Sequence, residues 1–101
     1  MREDTPVVYL LAGPSGPGKA AYSQALEERG VVRLRADTEL TEETAATLVR
    51  HLESGRDVMV EYESADQPER DRCQHLADQS RAECMVVNFT LDHNALAARL
   101  A

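Results

Sequence analysis

Four short apolar runs, separated by segments of helical character, constrain this chain more than any other feature. They lie at 7–12 (VVYLLA), 31–35 (VVRLR), 58–60 (VMV) and 84–89 (CMVVNF). The first and last are apolar at successive positions. That suits strands covered on both faces, as in parallel sheets, rather than strands with one wet face. The intervening segments carry helix start and stop signals. Lys19 to about Arg29 includes the helix formers Ala20, Ala21, Ala25 and Leu26, and Gly30 follows it. Thr41 can cap a second helix, with Glu42 and Glu43 in its first turn, and Gly55 ends it. Within it Ala45, Leu48, Val49 and Leu52 fall at i, i+3, i+4 and i+7, one buried stripe. Asp66 and Glu69 read as a capping box for a third helix, with Pro68 tolerated in the first turn and Cys73, Leu76 and Ala77 on the inner face. Asp92 can cap a fourth helix carrying Leu96 and Leu100. The order βαβαβαβα, with right-handed crossovers, predicts an α/β fold with a parallel sheet between helices.

At 101 residues and 43% apolar content the chain suits one domain, 1–101, with one core and a loose polar start at 1–5. Its net charge of −7 is concentrated, since residues 37–71 hold eleven acids and three bases. Such a face repels a phosphate backbone, so duplex nucleic acid is not an expected partner. The four aromatic residues (Tyr9, Tyr22, Tyr62 and Phe89) make no stacking platform for single strands. No run reaches the roughly 20 apolar residues of a membrane span, and the start MREDT lacks a secretory signal. The expectation is a cytoplasmic protein that does not enter a membrane, with Cys73 and Cys84 reduced. Cys73, His75, Cys84 and His93 match no zinc-ligand spacing.

The chemistry lies in residues 13–19, GPSGPGK, which match G-x-x-x-x-G-K between a strand and a helix. Glycines let successive backbone N–H groups turn inward around an anion, and the helix adds unpaired amides and a positive dipole end. Lys19 brings a mobile point charge for the outer phosphates. The expected phosphate contacts are Gly13, Ser15, Gly16, Gly18, Lys19, Ala20 and Ala21. Two residues depart from a working motif. Ala20 stands where Ser or Thr would hold Mg²⁺, and Pro17 has no N–H to give. ATP or GTP binding in weakened form, with poor Mg²⁺ retention, is the physical expectation.

With its stretches VVYLLAGPSGPGKA, VVRLRAD, GRDVMVEY, PERDRC and CMVVNFTLD, the chain resembles small P-loop kinase-type ATP-binding proteins. That group includes zeta-toxin-like, polynucleotide-kinase-like and adenylate-kinase-like proteins. The resemblance implies a P-loop NTPase-like three-layer sandwich with strand order 2-3-1-4. It places Asp37 as the acid that orients or deprotonates an acceptor hydroxyl, Glu61 as an indirect Mg²⁺ holder, and Arg70 and Arg72 in a substrate region. Being two apart on a helix, Arg70 and Arg72 do not share a face. The resemblance also implies a lid bearing arginines and a fifth strand, neither found in the sequence up to Ala101. Residues 84–89 are then an edge without charge, proline or glycine, and the expectation is pairing with a second copy or a partner, giving a dimer. Two functions follow: a nucleotide-binding protein with weak or absent phosphotransferase activity, or a non-catalytic assembly module that kept the fold.

Overall fold

The structure, a computed structural model, describes residues 5–14 and 16–89. In chain order the elements are β1 (Val7–Ala12), α1 (Pro17–Glu28), β2 (Val32–Arg35), α2 (Glu42–Glu53), β3 (Val58–Tyr62), α3 (Gln67–Gln79) and β4 (Glu83–Asn88). The strands form one parallel sheet in the order β2-β3-β1-β4, the expected order. The helix expected after Asp92, and Arg99 within it, lie outside the described residues. Helix α1 starts two residues earlier than the sequence suggested. Pro17 occupies its first position, where a missing N–H costs the helix nothing.

Strand alternation divides the apolar side chains between two faces. Val8, Leu10 and Ala12 of β1 and Val58, Val60 and Tyr62 of β3 pack with Leu48 and Leu52 of α2 and Cys73 and Ala77 of α3. Leu11 and Met59 face the other way and pack with Leu26 of α1, Val31 and Phe89. Helices therefore cover both faces. Of the stripe expected on α2, only Leu48 and Leu52 are fully buried. One expectation fails at β4, where Met85 and Val86 are 49% and 44% exposed, on opposite faces. Among the described residues β4 is an edge. Helix α3 packs against it, whereas α1 lies toward β2.

The three helices among the described residues end in the same way. After α1 the Gly30 N–H bonds the Glu27 carbonyl and the Val31 N–H bonds that of Leu26. After α2, Gly55 bonds Leu52 and Arg56 bonds His51. After α3, Arg81 bonds Asp78 and Ala82 bonds Ala77. These are Schellman closures, which need a left-handed residue one place past the cap. Gly30 and Gly55 fill that place at φ +87 and +83, but in α3 it is Arg81 at φ +56. A side chain there costs energy that glycine does not. Arg81→Gly is expected to raise the unfolding free energy by about 0.5–1 kcal/mol, read as a higher denaturant midpoint. A fall would mean that the guanidinium contributes more than the backbone strain removes.

Candidate functional site

The carboxyl ends of the parallel strands, where ligands gather in open α/β sheets, hold the residues singled out by the sequence. The chain leaves β1 at Gly13, whose N–H donates to the Tyr62 carbonyl at 3.1 Å. Gly13 has φ +145, and a Cβ placed there would stand 1.9 Å from the Phe89 carbonyl oxygen. Only glycine fits between the ends of β3 and β4. Gly16, fully extended at φ −179, is the N-cap of α1, and its carbonyl accepts from the Ala20 N–H at 3.0 Å.

That bond narrows the expected set of anion donors. Ala20 has spent its amide on Gly16, and Ala21, one residue further in, belongs to the helix ladder. The amides of Gly16, Gly18 and Lys19 are those a helix leaves without a partner inside itself. Ser15 lies outside the described residues.

Lys19 Nζ donates two 2.7 Å bonds, to the carbonyls of Gly13 and Tyr62. The lysine thus ties together the ends of β1 and β3 at the mouth of the turn. Its pKa lies below the ordinary lysine value, chiefly because burial disfavours the charge, while nearby Glu61 acts in the opposite sense.

In front of Lys19 opens a cleft of about 380 Å³, lined by Gly16, Lys19, Ala20, Ala36, Asp37 and Glu61 together with Arg33, Arg35 and Glu63. The exposed Asp37 reaches it on a loop pinned from several sides. The Ala36 N–H donates to the Glu61 carbonyl and the Glu63 N–H to the Asp37 carbonyl, both at 2.8 Å. Further along, the buried Leu40 is clamped at both backbone groups. Its N–H donates to Glu69 Oε2 at 2.9 Å, and its carbonyl accepts from Arg72 Nη1 at 2.8 Å.

Several predicted residues therefore take parts the sequence did not give them. The Asp66 side chain caps α3 by accepting from the Glu69 N–H, but Glu69 does not return the bond as a capping box would. Instead it turns into the core, where Oε2 also accepts from Tyr62 Oη at 2.6 Å. Tyr62 Oη in turn lies 3.0 Å from Cys73 Sγ. Burial, foremost, pushes the Cys73 thiol up to about 11. Arg72 holds Leu40 and lies 3.6 Å from Glu69, outside the cleft. Arg70 is elsewhere again, bonding the Ala65 carbonyl and Asn88 Oδ1 and so joining α3 to the end of β4. Gly18 and Ala21 lie on α1 and are not among the residues that line the cleft.

Glu61 is nearly buried, and its Oε1 accepts from Arg33 Nε at 2.9 Å, with Arg35 Nε 3.7 Å away. Its Oε1 is thus engaged by a guanidinium, and Ala20 offers no side-chain oxygen. Among the described residues, no group of three or more His, Cys, Asp or Glu side chains is placed to hold a metal ion. No helix among them is long and apolar enough to cross a membrane.

Arg33 and Arg35 are the site residues that sequence reasoning missed. The signal was present: in VRLR, arginines two apart on a strand must share a face. No protein-family model and no curated protein matches the chain, so the functional reading rests on this geometry.

Proposed function

We propose that the cleft binds the phosphates of ATP or GTP, in a P-loop domain of kinase-like ancestry whose phosphoryl transfer is weak or absent. The observation that carries the reading is the meeting of three things at the carboxyl end of a central strand. They are a glycine-rich turn, the amino end of α1, and a half-buried lysine ammonium at its mouth. Phosphate oxygens would replace the Gly13 and Tyr62 carbonyls as acceptors for Lys19. In any transfer Asp37, facing the same cleft, is the group to take the proton from an acceptor hydroxyl as its oxygen attacks the γ-phosphorus and the diphosphate leaves. The second reading, a binding or assembly module without turnover, is favoured by Ala20 and by the engagement of Glu61 with Arg33.

Titrating the full chain with ATP, with and without Mg²⁺, tests both. Binding that Mg²⁺ alters little is expected. Lys19→Ala is expected to weaken it about tenfold or more, the value of a charge-assisted hydrogen bond. Gly16→Ala separates fold from ligand. Among the described residues a Cβ there meets nothing within 4 Å, and φ −179 suits any residue. Folding should lose no more than about 1 kcal/mol as the cap changes, while ATP affinity falls because the methyl group obstructs approach to the amides. Absence of ATP binding, or affinity indifferent to Lys19→Ala, would overturn the nucleotide reading.

A further inference from the structure

Resting on that nucleotide reading, we propose that the same cleft takes an acceptor carrying a phosphate monoester, and that Arg35 grips that monoester. The argument begins with the alternation of β2. Val32 and Leu34 pack into the core shared with α2 and α3, which sends Arg33 and Arg35 to the opposite face, onto the cleft. There they meet Glu61, which the sheet register places directly beside Arg35 on β3.

One buried carboxylate faces two guanidiniums. The Glu61 side chain is 8% exposed, and a buried charge is tolerable only when paired and hydrogen-bonded. Arg33 meets that need with its 2.9 Å bond, and is itself steadied by Glu27 at 3.7 Å. Arg35 sits 3.7 Å from the same oxygen, too far for a hydrogen bond, and its side chain is 79% exposed. Glu61 is therefore satisfied without Arg35. The second guanidinium is an exposed cation, within ion-pair range of Glu61 but without a hydrogen bond to it, on the cleft that Lys19 also lines.

The surrounding charges narrow the ligand. Lys19, Arg33 and Arg35 balance Asp37, Glu61 and Glu63 along the lining, so the cleft is near neutral in a chain of net charge −7. A single exposed guanidinium–carboxylate pair contributes little, so a monoanion would gain little there. A phosphate monoester carries up to two charges and three acceptor oxygens, and the planar guanidinium fork matches two of those oxygens at once. Arg35 and Asp37 are two residues apart and line one cleft. A short hydroxylated compound anchored by its phosphate at Arg35 would bring a hydroxyl to Asp37.

The test is calorimetric titration of the full chain with glycerol 3-phosphate, with glycerol and with ATP, in wild type, Arg35→Gln and Lys19→Ala. Arg35 is largely exposed, so Arg35→Gln keeps the fold, checked by its thermal midpoint. Binding of glycerol 3-phosphate but not glycerol is expected. Arg35→Gln should weaken glycerol 3-phosphate about tenfold, and by more than it weakens ATP, with the opposite order for Lys19→Ala. No binding of glycerol 3-phosphate overturns the proposal. So does an affinity that falls with Lys19→Ala and not with Arg35→Gln, since the monoester would then occupy the glycine-rich turn. If ATP fails to bind while glycerol 3-phosphate still depends on Arg35, the nucleotide reading falls and the monoester grip stands.

Discussion

Gly13→Ala is expected to lower the unfolding free energy by about 4 kcal/mol, a large part of a small domain's stability. Two costs coincide at this position. The backbone sits at φ +145, which side-chain-bearing residues rarely adopt, and the added methyl would lie 1.9 Å from the Phe89 carbonyl oxygen. Backbone cannot swing aside as the tip of a side chain can. Moving Phe89 would strain its N–H bond to the Ala12 carbonyl, 2.7 Å long, and would disturb a residue packed in the core beneath α1. The comparison is Gly16→Ala, three residues on, where the methyl meets none of the described residues within 4 Å. Denaturant titration of both variants should show a wide gap between their midpoints. A loss under 1 kcal/mol in Gly13→Ala would show that the turn re-forms around a side chain, and that its shape is not set by the strands it joins.

The second large effect is expected at Glu69. Glu69→Ala removes the acceptor for two buried donors, the Leu40 amide and the Tyr62 hydroxyl, and leaves Arg72 beside a lost charge. Unsatisfied buried groups cost about 1–3 kcal/mol each, so a loss of about 3 kcal/mol is expected. Glu69→Gln keeps one acceptor oxygen and should lose less. Adding Tyr62→Phe to Glu69→Ala removes an orphaned hydroxyl, and the double variant should therefore fall short of the sum of the single losses. Full additivity in that cycle would mean that the Tyr62–Glu69 bond contributes nothing. Because Glu69 and Arg72 together hold the backbone of Leu40, three residues beyond Asp37, the same substitution should loosen the loop that brings Asp37 to the cleft.

The sequence disclosed the parts of this fold that depend on local chemistry. Thr41 and Asp66 cap their helices because each offers a side-chain oxygen to an amide three residues on. The bounds of β1 matched its apolar run. What remained hidden was long-range pairing. Glu69 read as half of a capping box, yet its carboxylate gains more from the Tyr62 hydroxyl and the Leu40 amide, 29 residues away in sequence. The resemblance placed Arg70 and Arg72 in a substrate region, and no local pattern announces that the Ala65 and Leu40 carbonyls and Asn88 Oδ1 will accept from them. The turn at 13–19 was legible as a motif, whereas the commitment of Lys19 to two carbonyls appears only once β1 and β3 stand side by side. Arg33 and Arg35 were hidden differently. Their spacing was visible, but the meaning of a shared face depends on which helix covers it.

The repeated Schellman closures have a consequence for how this architecture could change over time. They all lie at the floor of the sheet, where the chain turns up into β2, β3 and β4, and their bonds are main-chain, so only the left-handed position restricts the residue strongly. The opposite rim carries Lys19, Arg33, Arg35 and the loop clamped at Leu40, and there the bonds run through side chains. The floor is thus open to change at most positions other than the left-handed one of each closure, whereas the rim, where Gly13 and Glu69 also hold the fold together, is not.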